Sequence, residues 1–255
     1  MLNKPLHIIK NEPREGPGLF ELELIRFGVP FQLVDLKKGG KFPKPDETSA
    51  LIVLGGPDSA NDRTPRMRAE LEQVKIAVEA GTPYLGICLG LQVLVKALGG
   101  TVTQSPVKEV GFRSPAGRVY EIELTMEGLK DPLFRGFTRR HARVFQLHGE
   151  TVRLTKEMTL LGVSPEVPNQ VVRVRPGAWG FQCHFELTDD LLAEWLREDE
   201  DLRKLSARQL CAEFKEIHEE YKMTGRRIIR NFLEFAGLLL PEPPAPDSRK
   251  TQKRV

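Results

Sequence analysis

The sequence has little of what secreted and membrane proteins depend on. Its three cysteines, Cys88, Cys183 and Cys211, are widely spaced and odd in number, which suits a reducing compartment better than a disulfide framework. No apolar run approaches the length of a transmembrane helix, and residues 1–10 lack the apolar stretch of a secretory signal. We therefore expect a cytoplasmic protein.

A strong charge excess is also missing. The 38 Lys and Arg residues stand against 35 Asp and Glu residues, and a net charge of +3 predicts no nucleic-acid or membrane partner. The histidines and cysteines do not have metal-ligand spacing, and no glycine-rich loop of the Walker type is present. We expect neither a metal nor another cofactor, whereas 255 residues with 40% hydrophobic content suffice for one large α/β domain.

Strand-like and helix-like patterns alternate along the first part of the chain. This rhythm predicts a doubly wound, flavodoxin-like and mostly parallel sheet with helices on both faces, and with ligands bound at the carboxyl ends of the strands. The strand candidates are Leu6–Ile9, Phe31–Leu36, Ala50–Leu54 and Pro83–Ile87, and the helix candidates are Gly18–Phe27, a segment capped by Thr64-Pro65, and Leu89–Leu98.

The second part changes character twice. From Val102 to Glu186 the pattern is rich in short strands, and we interpret proline-containing stretches such as Ser105–Ala116 as loops. Thr188–Leu240 then reads as an extra helical C-terminal segment, with caps at Thr188 and at Ser206. We expect residues 1–240 to form a single domain, and residues 241–255, rich in proline and charge, to be a disordered tail.

The stretch around Cys88 carries the strongest functional signal. It reads Tyr-Leu-Gly-Ile-Cys-Leu-Gly-Leu-Gln, so Gly86 and Gly90 flank a cysteine placed between a strand and a helix. Gly-x-Cys-x-Gly is a form of the nucleophile elbow, in which small residues allow close packing at a sharp turn. The positive end of the helix dipole favours a thiolate there. A cysteine packed as a small hydrophobe is the alternative interpretation.

The stretch Trp179–Glu186 predicts a base for that cysteine. It reads Trp-Gly-Phe-Gln-Cys-His-Phe-Glu, and in an extended chain His184 and Glu186 project to the same side. The carboxylate can then orient one ring nitrogen of the histidine and leave the other to face Cys88. Taken alone, His-x-Glu is a short and common pattern that is better explained as a polar strand end facing solvent. Its combination with the Gly-x-Cys-x-Gly elbow favours the catalytic pair.

Together these motifs resemble the class I (triad-type) glutamine amidotransferase family. The closest likeness is to the stand-alone type related to the amidotransferase half of GMP synthetase and to γ-glutamyl peptidases. Phe185 stands where many members have proline, but its side chain points away from the histidine and the glutamate. Four motifs in the family's order carry the resemblance: Gly55-Gly56-Pro57, Gly86–Gly90 with Gln92 following, Phe145–Glu150, and Gly180–Glu186.

The resemblance implies a mechanism through a γ-glutamyl thioester. Cys88 would be the nucleophile, His184 the general base and acid, and Glu186 the group that orients the histidine. The backbone N–H groups of Leu89 and Gly56 would stabilise the oxyanion, and Gln92 would contact the substrate. His148 could line the acceptor side of the pocket or be a structural loop histidine.

Several functions share this resemblance. The leading expectation is cleavage of glutamine, with ammonia passing to a synthetase partner. A γ-glutamyl peptidase acting on glutathione-like compounds would have the same triad and a different leaving-group pocket, formed by loops such as Ser105–Ala116. A non-catalytic regulatory subunit would not need the intact Cys88, His184 and Glu186 set. The sequence leaves the partner open, and with it the formation of a homo-oligomer.

Overall fold

A nine-stranded sheet forms the centre of the computed structural model, which describes residues 4–241. The predicted disordered tail lies outside the described residues, apart from its first residue. In chain order the elements are β1 (Leu6–Lys10), α1 (Leu19–Phe27), β2 (Phe31–Asp35), β3 (Leu51–Val53), α2 (Pro65–Glu79), β4 (Tyr84–Ile87), α3 (Leu89–Ala97), β5 (Thr101–Gly111), β6 (Glu121–Leu124), α4 (Met126–Lys130), β7 (His141–Arg143), β8 (Gln146–Arg153), β9 (Thr159–Val163), β10 (Val171–Arg175), β11 (Ala178–Phe181), α5 (Asp189–Glu198) and α6 (Ala207–Phe235).

The central sheet has a parallel half and an antiparallel half. Its order is β2-β1-β3-β4-β11-β10-β9-β6-β7. The first five strands are parallel and follow the flavodoxin order, with β11 in the place of the fifth strand. The remaining four are joined by antiparallel pairs. The predicted fold class is confirmed, and the carboxyl ends of β1, β3, β4 and β11 meet at one edge.

Helices cover both faces of the sheet because the inner parallel strands, β1, β3, β4 and β11, are buried on both sides. In β1, Ile8 packs into the core layer beneath α1 and α6, whereas Ile9 packs into the layer beneath α2 and α3. Strands buried on both faces read as continuous apolar runs, which is why the sequence predicted them well. The sheet is thereby fixed between two helical layers.

The structure corrects one prediction about the second part of the chain. Residues 105–111 are not loop but belong to β5, which pairs with β8 in a separate two-stranded sheet. Pro106 suggested a loop because proline cannot donate a ladder hydrogen bond. The register shift between Gln104 and Glu109 accommodates it, since a bulge leaves residues unpaired. This two-stranded sheet is separate from the main sheet and lies beside Cys88, where Leu147 and His148 line the same cavity.

The helical C-terminal segment packs back onto the domain. The buried face of α6 includes Leu210, Phe214 and Tyr221. Cys211 is exposed, because it falls one position after the buried Leu210 and off this apolar stripe. The α6 backbone comes so close to the chain after β11 that a Cβ on Gly225 would lie 2.6 Å from the carbonyl oxygen of Phe185.

Helix starts follow the predicted caps. The hydroxyls of Thr64, Thr188 and Ser206 each accept a hydrogen bond from the backbone N–H three residues later, at 3.1, 3.2 and 3.3 Å. Such caps contribute about 1 kcal/mol each. In the part of the chain that the structure describes, no helix has both the length and the apolar character that crossing a membrane requires.

Candidate active site

Cys88 occupies a strained turn between β4 and α3. Its φ of 52° makes it the only residue other than glycine, among those described, with a positive φ. Such a conformation costs about 1–3 kcal/mol and persists only where the surroundings enforce it. The Cys88 N–H donates to the carbonyl oxygen of Phe181 at 2.7 Å, which ties the turn to the end of β11. The predicted elbow is therefore present.

Two glycines let this turn form. A Cβ on Gly90 would lie 2.1 Å from the carbonyl oxygen of Val53, and a Cβ on Gly86 would lie 2.5 Å from the carbonyl carbon of Gly90. Real side chains do not approach backbone so closely, so α3 can pack against β3 and β4 only with glycine at both positions. The two glycines of the Gly-x-Cys-x-Gly pattern are thus required by the packing of the helix against the strands.

His184 and Glu186 follow β11 and lie on one side of the chain, as the alternation predicted. Nδ1 of His184 is 2.6 Å from Oε1 of Glu186, and both side chains are buried. Glu186 is held in turn, because its Oε2 accepts from the Phe185 N–H at 2.9 Å and its carbonyl oxygen accepts from the Leu19 N–H at 2.7 Å. Phe185 points the other way, into the core.

The surroundings favour the charged form of His184. Burial by itself lowers the pKa of this imidazole, but the Glu186 carboxylate and the Cys88 sulfur outweigh burial and raise the pKa well above its usual range. The second ring nitrogen, Nε2, is buried and has no hydrogen-bond partner in the described part of the protein. It is therefore available to exchange a proton with a neighbouring group.

Gly55 keeps the space between the cysteine and the histidine open. A Cβ on this residue would lie 3.4 Å from Cε1 of His184 and 3.5 Å from Cβ of Cys88. Both side chains therefore face one small volume at the carboxyl edge of β3 and β4. A thiol, an imidazole and a buried carboxylate in this order can generate a thiolate and shuttle its proton.

The C-terminal helices hold His184 in place. Trp195, in α5, packs edge-on against the imidazole with ring centroids 5.0 Å apart and an interplanar angle of 79°. The hydroxyl of Tyr221, in α6, donates to the carbonyl oxygen of His184 at 2.9 Å. Sequence reasoning left the role of this segment open, and the structure shows that it positions the histidine.

A cavity of about 380 Å³ opens over Cys88. It brings Cys88 and His184 together with three of the other predicted site residues, Gly56, Gln92 and His148. Leu89 is the first residue of α3, where backbone N–H groups have no partner inside the helix. Within residues 4–241, no group of three or more histidine, cysteine, aspartate or glutamate side chains is arranged to hold a metal ion.

Gln92 belongs to a short chain of amides that ends at the sulfur. Its Nε2 donates to the carbonyl oxygen of Glu150 and to Oε1 of Gln182, at 3.3 Å each. Gln182 in turn points its Nε2 at Sγ of Cys88, 3.7 Å away. Sequence reasoning missed Gln182, although its place two residues before His184 was a usable signal.

His148 lies in β8 and not in a loop. Its Nδ1 is 3.0 Å from the carbonyl oxygen of Glu150, and its Nε2 is 2.9 Å from Oε2 of Glu109. Glu109 comes from the partner strand β5 and is fully buried. The loop interpretation of His148 is wrong for the same reason as the loop assigned around Pro106, because the long-range pairing of β5 with β8 was not predicted.

Sequence reasoning also missed an acidic group beside the histidine. Glu15 follows β1 at the same edge of the sheet, and its Oε2 would lie 3.6 Å from a Cβ on Gly55. Burial raises the pKa of Glu15 to about 7, with the His184 and Arg14 charges opposing that rise. Glu15 lies five residues beyond the end of β1, and no motif or strand alternation marked it.

Comparison with known proteins identifies the family. The model of class-I glutamine amidotransferases matches residues 22–197. The glutamine amidotransferase-like protein YfeJ of Salmonella typhimurium is 39% identical over 153 residues, which are 57% of this chain and 60% of YfeJ. A GMP synthase of Thermosipho africanus is 28% identical over 74% of this chain and only 34% of its own length.

Two further similar proteins agree with this family. A γ-glutamyl-L-1-hydroxyisopropylamide hydrolase of a Pseudomonas species is 28% identical over 58% of this chain and 50% of that enzyme. The crystal structure of a glutamine amidotransferase from Thermotoga maritima superposes with a TM-score of 0.80, at 26% identity, over 92% of this chain and 100% of that one. The chain belongs to the class-I glutamine amidotransferase family.

Proposed function

We propose that the protein hydrolyses γ-glutamyl amides through a covalent thioester on Cys88, with glutamine as the leading substrate and ammonia as the released amine. The observation that carries this proposal is the buried pair of His184 and Glu186, 2.6 Å apart, facing the same small volume as Cys88. A carboxylate–imidazole pair next to a thiol is an arrangement that activates a nucleophile. Family membership supports it.

Each group then has one task in the reaction. Cys88 transfers its proton to Nε2 of His184, and Sγ attacks the δ-carbonyl carbon while the carbonyl electron pair moves onto the oxygen. When the C–N bond breaks, His184 gives the proton to the leaving nitrogen, so ammonia departs and the thioester remains. Water, deprotonated by His184, attacks the thioester and restores the thiol. Glu186 keeps the imidazole oriented and stabilises its charged form.

We assign the stabilisation of the oxyanion to two backbone N–H donors. The N–H of Leu89 starts α3 directly after the nucleophile, and that of Gly56 follows β3 beside the cavity. Donors fixed in advance are worth about 3–4 kcal/mol of transition-state stabilisation for one group. On the substrate side, Gln92 would present its side-chain oxygen to the bound glutamyl group, since its nitrogen is engaged with Glu150 and Gln182.

The acceptor of the ammonia would be a separate synthetase. The relative described as a GMP synthase, which this chain matches over 34% of that protein's length, supports a synthetase as the user of the ammonia. We further infer that residues 1–240 act as one amidotransferase-like unit. The free cysteines Cys88, Cys183 and Cys211 support a location in the reducing cytoplasm.

A second candidate is hydrolysis of γ-glutamyl amides other than glutamine, without delivery of ammonia to a partner. The relative described as a γ-glutamyl-L-1-hydroxyisopropylamide hydrolase favours it. The two candidates share Cys88, His184 and Glu186, and differ in which amine leaves. Ammonia release from glutamine, compared with amine release from γ-glutamyl alkylamides at equal concentration, distinguishes them.

Labelling tests the shared chemistry. Purified protein is incubated with a diazoketone analogue of glutamine, and the modified residue is located by mass spectrometry. We expect one adduct at Cys88, loss of that adduct and of hydrolysis in Cys88→Ser, and no change in Cys211→Ser, which removes an exposed thiol elsewhere. A folded protein that releases no amine and leaves Cys88 unmodified would instead be a non-catalytic regulatory subunit.

A further inference from the structure

The cavity over Cys88 is lined by more acid than base. Two cations face it, Arg14 and Lys108, besides the two histidines His148 and His184. An acidic excess in a partly enclosed cavity attracts cations and repels anions more strongly than it would in open water. The carboxyl groups that line it are Glu15, Asp58, Glu150, Asp199 and Asp201.

Both cations are already neutralised by neighbouring acids. Arg14 places one guanidinium nitrogen 2.7 Å from Oδ2 of Asp199 and its Nε 3.5 Å from Oε1 of Glu15. Lys108 forms an ion pair with Asp201. Neither cation is therefore free to neutralise an acidic substrate group without breaking an existing pair.

Glu15 borders the volume into which the leaving group of the proposed reaction would depart. In that reaction Nε2 of His184 gives its proton to the leaving nitrogen, and Cε1 of the same ring borders the volume that Gly55 keeps open. Oε2 of Glu15 borders this volume too, 3.6 Å from a Cβ placed on Gly55. Two other acids, Glu150 in β8 and Asp58 in the loop after β3, line other parts of the cavity.

The loop that carries Glu15 is held rigidly. Nε1 of Trp195 donates to the carbonyl oxygen of Arg14 at 3.1 Å, and the same indole packs against His184. The N–H of Glu15 donates to the carbonyl oxygen of Glu12 at 3.0 Å, which closes a turn. A recognition group on such a supported backbone discriminates well, since little freedom is lost on binding.

We propose that Glu15 selects the leaving group, accepting γ-glutamyl amides of ammonia or of small amines without an acid group and rejecting γ-glutamyl peptides whose leaving amine carries a carboxylate. This inference rests on the proposed hydrolysis of γ-glutamyl amides. The leaving amine, neutral or cationic, would donate a hydrogen bond to the Glu15 carboxylate. A peptide carboxylate would instead face Glu15 and Asp199, whose cation, Arg14, is already paired with both.

The charge of Glu15 is present under mildly alkaline conditions. Burial raises its pKa to about 7, with His184 and Arg14 lowering it and Glu186 and Asp199 raising it. At pH 8 the group is therefore mostly ionised, and an experiment at that pH compares its carboxylate with a neutral side chain.

Two substrates of equal size test the proposal, γ-glutamylglycinamide and γ-glutamylglycine, which differ in one carboxylate. We expect the native protein at pH 8 to prefer the amide by about tenfold or more in kcat/KM, since like-charge juxtaposition costs several kcal/mol. Glu15→Gln should reduce that preference at least about fivefold, chiefly through faster cleavage of γ-glutamylglycine. Glu15→Asp, which keeps the carboxylate, should retain most of the preference.

Glu12→Gln is the matched control. It makes the same charge change in the same loop, and Glu12 pairs with Lys37 away from the cavity. Its preference should equal that of the native protein. The proposal would be overturned if Glu15→Gln lost kcat/KM equally on both substrates. It would also be overturned if the variant had native thermal stability and an unchanged preference for the amide. A native protein that cleaves neither compound, nor glutamine, contradicts the proposed function itself.

Discussion

The side-chain amide of Gln182 points its nitrogen at the sulfur of Cys88, with Nε2 and Sγ 3.7 Å apart. The same amide accepts from Gln92 through its oxygen at 3.3 Å, so its orientation is fixed by a second residue of the cavity wall. Gln182 is fully buried. A donor aimed at sulfur favours a thiolate over a thiol, because hydrogen bonds to charged acceptors are the stronger ones.

Replacing Gln182 by methionine should slow catalysis without unfolding the protein. Methionine has similar length but no donor, and a hydrogen bond to a charged group is worth about 1.5–3 kcal/mol, which corresponds to roughly a ten- to hundredfold loss of kcat/KM. Alkylation of Cys88 by iodoacetamide, followed by mass spectrometry, should slow as well. Gln209→Met, on the exposed side of α6, is the control and should change neither rate.

Gly90→Ala tests the packing that creates the elbow. The added Cβ would lie 2.1 Å from the carbonyl oxygen of Val53, so α3 would have to move away from β3. We expect a loss of about 3 kcal/mol or more in the free energy of unfolding, at the upper end of overpacking effects. Gly149→Ala meets only ordinary contacts at 3.8 Å and beyond, and should stay within about 0.5 kcal/mol of the native protein. Urea unfolding at equal protein concentration measures both, and equal midpoints would contradict the packing argument.

Local patterns predicted the turn at Cys88 and the His184–Glu186 pair, while contacts between distant segments could not be predicted. Cys88 and the His184-x-Glu186 pair were predictable because each depends on a few consecutive residues and on strand alternation. Trp195 and Glu15 were not predictable, since they reach the site through the contact of Trp195 with Arg14, which lies 181 positions earlier in the chain. A single sequence carries no local signal for such a pair.

Glu70 should make the stability of the protein depend on pH. Burial raises the pKa of this α2 carboxyl to about 7 from an ordinary value of 4.5, with the Asn11 amide and Arg66 opposing the rise and Asp58 adding to it. The native state therefore binds the proton more tightly than the unfolded state, and stability falls as pH rises from about 4.5 to about 7. Over this pH range the ionisation of Glu70 lowers the free energy of unfolding by about 3 kcal/mol.

Glu70→Gln removes this ionisation and keeps an acceptor for the Asn11 amide, which donates to Oε1 of Glu70 at 3.0 Å. We expect the variant to be more stable than the native protein at pH 8, by up to about 3 kcal/mol, with the difference vanishing near pH 4.5. Urea unfolding at several pH values measures it. Glu72→Gln, on the exposed face of the same helix, should show no such trend. A stability difference that is constant with pH would refute the ionisation argument.

His148 and Glu109 should behave as a coupled pair. In His148→Phe the buried Glu109 carboxylate keeps one side-chain donor, the Gln170 amide, at 3.2 Å. We therefore expect the free energy of unfolding to fall by about 3–5 kcal/mol. The double variant His148→Phe/Glu109→Leu removes the buried charge along with the histidine. Its loss in the free energy of unfolding should be smaller, by at least about 2 kcal/mol, than the sum of the losses in the two single variants.

The double variant also separates the two interpretations of His148. If the role of His148 is purely structural, the double variant should recover the rate of hydrolysis as it recovers stability. We expect KM for glutamine to remain raised in the double variant, because His148 lines the cavity over Cys88 and its imidazole would be replaced by an apolar phenyl ring. Steady-state kinetics at a temperature where all variants are folded decides it, and native KM with native kcat would assign His148 to the pairing of β5 with β8 alone.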